Sequence, residues 1–517
     1  MTLARILLAG FLLFASPVWA VSNLSSLNQA NELLDGWNLT EAESLINALA
    51  KEHSDTANIA LLKARLDFFK GDYESAWKHI EPIQSNDPSI KDLRYLINQT
   101  RQTTGSFASK ESEHFIFLFE NGPDEILIHH AQEALEKSYE VLGKILNFYP
   151  KQKVRVEFYP SREPFSKISP LTFKDIMTSG TVALCKYNRL MAISPGSLLR
   201  GYNWLDTLSH EYVHYLLTQK SGNKVPLWLH EGLAKFLETR WRGAKEPLTP
   251  LMETVLAKGL NADYLIGLDQ MMPSLAKLKN AEDVQLAYAE VSSMVEYMVD
   301  QKGEAVIPSI LEDLREDHSI TDSLQKRFGQ SLKNFQASWK KYALNKNFKI
   351  IPGISALRFN FKKNRNESEE DKKQEYAEIQ SKQARDLIFL GDVLKSRSFI
   401  DAAIVEYKKA IDKTKSLSPV LHNKLAQTFM LRKDYEKAEP LLKENLKYYP
   451  WFHTTLVNLG ELHFQKDTKE KSREYFEKAF KINPFNPFVH ARLISLYKNL
   501  GLEKEKELQA QLFRYLE

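Results

Sequence analysis

Residues 204–238 read WLDTLSHEYVHYLLTQKSGNKVPLWLHEGLAKFLE. Helical residues four apart share a face, so His210 and His214 can aim both imidazoles at one metal ion, with Glu211 beside them. A His-Glu-x-x-His pattern on a helix is the arrangement in which two histidines bind zinc and the glutamate serves as general base. A catalytic zinc takes three protein donors and keeps one position open, so a third donor is required. Glu231 stands 17 residues after His214, on a second amphipathic stretch that a short loop can fold back. The boundaries are legible too: Asn203 can cap the first helix, Gly222 can end it, and Pro226 suits the first turn of the second. Asp206 and Glu238 are each placed to orient a metal-bound histidine, or to act as a cap or a solvated charge.

The second segment, Trp228-Leu229-His230-Glu231-Gly232-Leu233-Ala234, resembles the W-L-x-E-G-x-A segment of gluzincin metallopeptidases. The gap between the two segments is similar to that of bacterial peptidase MA-like proteins, and the resemblance extends at most over residues 113–346. It implies one Zn2+ ion held by His210, His214 and Glu231, with Glu211 as catalytic base in peptide-bond hydrolysis. It also implies an edge strand at residues 180–184 that takes up substrate backbone by strand addition. A downstream Tyr or His that steadies the oxyanion belongs to the same picture. Tyr288 sits at a plausible distance, with a half-buried core role as its alternative and His318 as a rival. Aminopeptidases of this superfamily carry an acidic residue beside the edge strand; none lies between Gly180 and Leu184, which favours an endopeptidase.

Outward from the metal helices, the text is α+β. Residues 114–119 and 153–159 read as strands around an amphipathic helix over 124–148, whose face carries Ile126, Ala131, Leu135, Tyr139 and Leu142. Residues 180–185 and 190–194 read as a hairpin turning at 186–189. Cys185, the sole cysteine, excludes an intramolecular disulfide and reads as a buried apolar residue that the metal does not need.

Both flanks are helical and repetitive. Ala42 and Ala76 recur 34 residues apart in the N-terminal part. In the C-terminal part Ala403, Ala438 and Ser472 recur at 35 and 34, and Pro450 and Pro484 at 34. A 34-residue period with small residues where two helices meet resembles the tetratricopeptide repeat, whose stacks offer a concave groove to a protein partner. The C-terminal part reads as three repeats and a capping helix, with the aromatic run Tyr448-Tyr449-Pro450-Trp451-Phe452 as inter-repeat packing or a binding surface.

The leader differs from all of this. Arg5, an apolar run over 6–14, Ser16-Pro17 and the small residues Val18 and Ala20 at −3 and −1 of a cleavage site read as a secretory signal peptide. Export with one cysteine and many lysines fits a Gram-negative periplasm. No later stretch has transmembrane length, and a net charge of +4 on 517 residues gives no case for nucleic acid.

The fold expected is an α+β zincin-type metallopeptidase domain flanked by all-α tetratricopeptide-repeat (α-solenoid) segments. Its parts are a signal peptide at 1–20, N-terminal repeats at 26–105, the metallopeptidase domain at 110–350, a charged linker at 351–382 and C-terminal repeats at 383–517. The expected partners are a protein or peptide substrate and a protein bound by the repeats. Two other readings remain: a repeat scaffold or assembly factor of the bacterial envelope with a structural or vestigial zinc site, and a hydrolase of non-peptide amides.

Overall fold

A computed structural model describes residues 18–52, 57–245, 247–357, 359–362, 373–376, 378–379, 381–414 and 416–516. The leader expected at 1–20 lies outside the described residues up to 17, as do 363–372 of the charged stretch. Among the described residues no helix is long and apolar enough to cross a membrane.

The chain opens with helices α1 (Val18–Asp35), α2 (Leu39–Glu52), α3 (Ala57–Lys70), α4 (Tyr73–Ile80) and α5 (Pro88–Thr104). The repeated Ala42 and Ala76 are fully buried between neighbours. A five-stranded mixed sheet follows, with three helices inserted: β1 (Phe107–Glu111), β2 (Phe115–Glu120), α6 (Ile128–Leu146), β3 (Val154–Tyr159), α7 (Arg162–Ile168), α8 (Phe173–Ser179), β4 (Ala183–Lys186) and β5 (Arg189–Ile193). Strand order is β1-β2-β3-β5-β4, with β2, β3 and β5 parallel and both outer strands antiparallel to their neighbours. β4 is therefore an edge strand, with one side unpaired by any strand among the described residues.

Tyr187 and Asn188 turn the β4–β5 hairpin at φ of 56° and 59°, the left-handed pair that matches the strand twist. The hairpin starts later than expected. Gly180 is not in a strand: at φ +70° it ends α8, its N–H donating to Ile176 C=O. β1, α7 and α8 were not expected at all, being too short for periodicity to register.

The sheet's two faces are covered by different parts of the chain. On one face Phe115 meets Tyr212 edge-on at 5.2 Å and Phe158 meets Trp204 at 6.1 Å. Both partners lie on α9 (Trp204–Ser221). Side chains alternate along a strand, so Glu157 and Arg189 point to the other face. They pair at 3.0 Å with 0% and 1% of each side chain exposed. Tyr73 of α4 hydrogen-bonds to both, and Phe68 of α3 lies 4.9 Å from the guanidinium. The N-terminal helices are the sheet's back layer.

After α9 come α10 (Leu227–Leu237), α11 (Pro250–Ala262), α12 (Ala281–Lys302), α13 (Val306–Arg315), α14 (Ile320–Phe328) and α15 (Leu332–Asn345). The C-terminal stack is α16 (Lys382–Ser396), α17 (Ile400–Asp412), α18 (Pro419–Leu431), α19 (Tyr435–Tyr448), α20 (His453–Gln465), α21 (Lys469–Ile482), α22 (Pro487–Asn499) and α23 (Glu503–Phe513). That makes four helix pairs rather than three and a cap. Ala403, Ala438 and Ser472 are fully buried, as close approach of paired helices requires.

The stack is fastened to the central domain by the aromatic run. Tyr449 and Phe452 are buried with Ile354 and Val420, Arg200 lies 4.5 Å over Phe452, and Arg242 lies 5.1 Å over Trp451. Described parts of the charged stretch join the contact: Arg200 pairs with Glu375 and Glu378, and Leu198 bridges to Phe361.

Candidate metal centre

α9 begins at Asn203, whose side chain makes no cap to the helix backbone and binds Asp206 Oδ2 instead. Gly222 closes the helix at φ 69°, with its N–H on Thr218 C=O. Pro226 stands at the N-cap of α10, and the short turn brings α10 back across α9.

The fold-back juxtaposes the three expected donors. His210 and His214 have ring centroids 4.7 Å apart. Glu231 Oε2 lies 3.7 Å from His210 Nε2 and 3.5 Å from His214 Nε2. A tetrahedral zinc with donors at about 2.0–2.2 Å requires donor separations of about 3.3–3.5 Å, so these residues fit such an ion with small adjustment. The chemistry of the set agrees: two imidazoles and a carboxylate, their ligand atoms all within 4.8 Å of one another. Glu231 Oε2 is also buried and makes no hydrogen bond among the described residues, a costly state for a carboxylate oxygen unless something else binds it.

The electrostatics are those of a compact charged cluster. Burial works against a charged His210, but Glu231 and Glu238 outweigh it and push the imidazole up to about 10. Burial also opposes ionisation of Glu231, yet His214 and His210 hold it well below the usual carboxylate range. Glu211, 6% exposed, is raised by burial and further by the Glu231 charge, with the two histidines partly offsetting the rise.

Of the two candidate orienting carboxylates, only Glu238 serves. Its Oε2 lies 3.0 Å from His210 Nδ1, and Lys235 pairs with its other oxygen. Asp206 is turned away and takes Arg242 at 2.8 Å and Trp241 Nε1 at 2.9 Å.

Tyr288 reaches the site from α12. Its ring lies 6.3 Å from that of His210, and burial and the Glu231 and Glu211 charges raise its hydroxyl well above the usual phenol range. His318 is exposed and pairs with Glu316 at 3.9 Å, away from the cluster. Cys185 is half-buried, and burial followed by Glu211 pushes its thiol well up.

One contact was missed at the sequence level: His230, stacked on His214 with centroids 4.5 Å apart. Burial and His214 hold His230 well below the usual histidine range. The only signal for it was its place immediately before Glu231.

Residues 131–345 match a family model described as Peptidase MA superfamily, and residues 453–486 match one described as Tetratricopeptide repeat. No curated protein matches the sequence. Among solved structures, native yeast LTA4 hydrolase is 13% identical with a TM-score of 0.32, over 79% of this chain and 66% of that one. The first TPR of Spaghetti (RPAP3), bound to an HSP90 peptide, is 20% identical at TM-score 0.23, over 24% of this chain and 97% of that one. Yeast Tom70 is 12% identical at TM-score 0.19, over 95% and 91%.

Proposed function

We propose that this chain is an exported, periplasmic zinc-dependent peptidase, an endopeptidase, whose C-terminal repeats bind a protein substrate or partner. The observation that carries the reading is the convergence of His210, His214 and Glu231 beside a buried carboxylate, Glu211, at an open sheet edge. The match of residues 131–345 to the Peptidase MA superfamily supports it.

Zinc, when bound by His210, His214 and Glu231, supplies Lewis acidity that eases loss of a proton from water and polarises a carbonyl. The rest falls to the chain's own groups. Glu211 accepts a proton from the attacking water. Tyr288 O–H donates to the oxygen on which negative charge develops. Glu211 then returns the proton to the departing amine.

The edge strand places the peptide. Ile193 N–H binds Val182 C=O, and Leu184 and Lys186 face Met191 and Arg189. Inward pairing alternates along an antiparallel ladder, so Ala183 and Cys185 direct their backbone groups outward. The N–H and C=O of Ala183 and Cys185 are therefore the groups an extended substrate would pair with.

The test is Glu211→Gln. Zinc content should stay at one ion per chain while casein hydrolysis falls at least about 100-fold. Hydrolysis at the wild-type rate would remove Glu211 from the mechanism. A wild-type protein that binds zinc and cleaves nothing would favour the scaffold reading.

A further inference from the structure

The two imidazoles of the cluster are held from behind by unlike means. His210 Nδ1 has a carboxylate, Glu238, at 3.0 Å. His214 is 8% exposed, and its Nδ1 is buried with no hydrogen bond among the described residues. In place of an acceptor, it has a flat surface. The His230 ring lies against it at 4.5 Å between centroids, with the planes only 9° apart.

His230 is itself fixed at both ends. Its backbone sits in the first turn of α10, one residue before Glu231, and its Nε2 is 3.5 Å from Thr218 Oγ1. Thr218 lies one helical turn after His214, on the same face of α9. The His230 ring is thus wedged between the α10 backbone and α9, parallel to the ring it covers.

We propose that His230 is a positioning residue for the metal: by parallel stacking it sets the ring plane of His214 and so aims His214 Nε2 at the point shared with His210 and Glu231. The reasoning is geometric. Rotation of an imidazole about its last side-chain torsion is broad and weakly restrained, so a metal-binding histidine needs an outside contact to fix its plane. Glu238 supplies that contact to His210 through a hydrogen bond. His230 supplies it to His214 through a face. Since His230 and Glu231 are adjacent on α10, one rigid turn carries both the third donor and the wedge that aligns the second.

The inference rests on the metal reading above, and the experiment separates the two. Full-length wild type, His210→Ala, His230→Ala, His230→Leu and His230→Phe are titrated with zinc against a chromogenic chelator. The visible spectrum of each cobalt-substituted protein reports donor geometry, and circular dichroism checks the fold. Zinc affinity should fall about 10- to 100-fold in His230→Ala, the range for loss of an orienting contact. His230→Leu, which fills the space without a flat face, should fall alike and cover the case of a poorly folded alanine variant. His230→Phe, which keeps the face and loses both nitrogens, should stay within about threefold of wild type and keep its cobalt spectrum. Wild-type affinity in both His230→Ala and His230→Leu overturns the role of His230. So does a phenylalanine variant as weak as the alanine one. A wild type that binds no more zinc than His210→Ala overturns the metal reading itself.

Discussion

Gly232, next to the third donor, tests whether the spacing of α10 and α12 sets the site. A Cβ built there would stand 2.6 Å from Val291 C=O oxygen, 3.0 Å from Val291 C and 3.1 Å from Val295 Cγ2. The nearest obstacle is the backbone of α12, which cannot rotate away. Restoring ordinary contact, about 3.4 Å or more for carbon against oxygen, requires the helices to part by roughly 0.5–0.8 Å. Alanine gains about 1 kcal/mol over glycine in helix propensity, against about 1–3 kcal/mol for overpacking. The net loss of stability in Gly232→Ala is therefore small, about 0–2 kcal/mol. The loss of function is not. Val291 and Val295 share the α12 face with Tyr288, so the parting draws Glu231 and Tyr288 apart and shifts Glu231 relative to the histidines. Metal–donor distances tolerate about 0.2 Å, and a displacement near 1 Å costs about 100-fold in rate. Thermal unfolding of the metal-free protein should shift by only a few degrees, while zinc affinity drops at least about tenfold and peptide hydrolysis about 100-fold. A Gly232→Ala protein with wild-type zinc affinity and rate would show that this packing does not set the site.

Two further outcomes follow from named groups. In Tyr288→Phe, kcat should fall about 100- to 1000-fold with KM within about twofold; unchanged kcat in a steady-state assay would make Tyr288 a packing residue. Burial, against one hydrogen bond from Ile266 N–H, raises Glu290 from 4.5 to about 8. The folded chain thus keeps a proton that the unfolded chain releases near pH 4.5, so this group's effect is absent below about 4.5. Stability then falls as pH rises toward about 8, by about 4–5 kcal/mol in all at about 1.4 kcal/mol per pH unit. Glu290→Gln should be the more stable protein at pH 8 and remove most of that slope in urea unfolding at pH 5 and pH 8; an unchanged slope would refute the buried-proton account.

What was legible in the sequence was whatever is local. His210, Glu211 and His214 follow from one helical period, and Glu231 from a second amphipathic segment a short loop away. Tyr288 was reachable because α12 is long and strongly patterned, although its alternative as a core residue could be weighed only once its ring stood 6.3 Å from His210. What escaped depends on how separate elements lie on one another. His230 lies flat on His214 only because the turn after Gly222 brings α10 back across α9. Asp206 looked like a histidine's partner until Arg242, 36 residues on, folded back to claim it. Gly180, followed by Thr-Val-Ala-Leu, read as the start of a strand, yet its left-handed backbone ends α8 and delays β4 to Ala183. In the C-terminal stack the 34-residue period gave the small packing residues correctly. It undercounted the pairs because α22 and α23 are followed by no closing proline that repeats Pro450 and Pro484.

The two flanking sets of helices stand in different relations to α9. A buried ion pair is tolerable only when its remaining hydrogen-bonding capacity is met, and Glu157–Arg189 is met largely from the N-terminal helices, by Tyr73 and the face of Phe68. Those helices also reach α9, where Trp37 packs on Tyr215 at 5.4 Å, one residue past His214. They are a wall of the central domain, and their inner surface is spent on it. The C-terminal stack meets the domain at Phe452 on Arg200 and Trp451 on Arg242, and again farther along, where Phe480 packs on His130 at 5.3 Å and Tyr515 binds Glu125. Arg242 binds Asp206 with its other side, and Asp206 is one turn ahead of His210 on α9. Arg242 thus joins the C-terminal stack to the first turn of α9, Arg200 on Phe452 joins it just ahead of that turn, and the N-terminal helices brace the far half of α9. If a partner protein acts on this site through the C-terminal stack, Trp451–Arg242–Asp206 is one direct chain of contacts along which it would be felt.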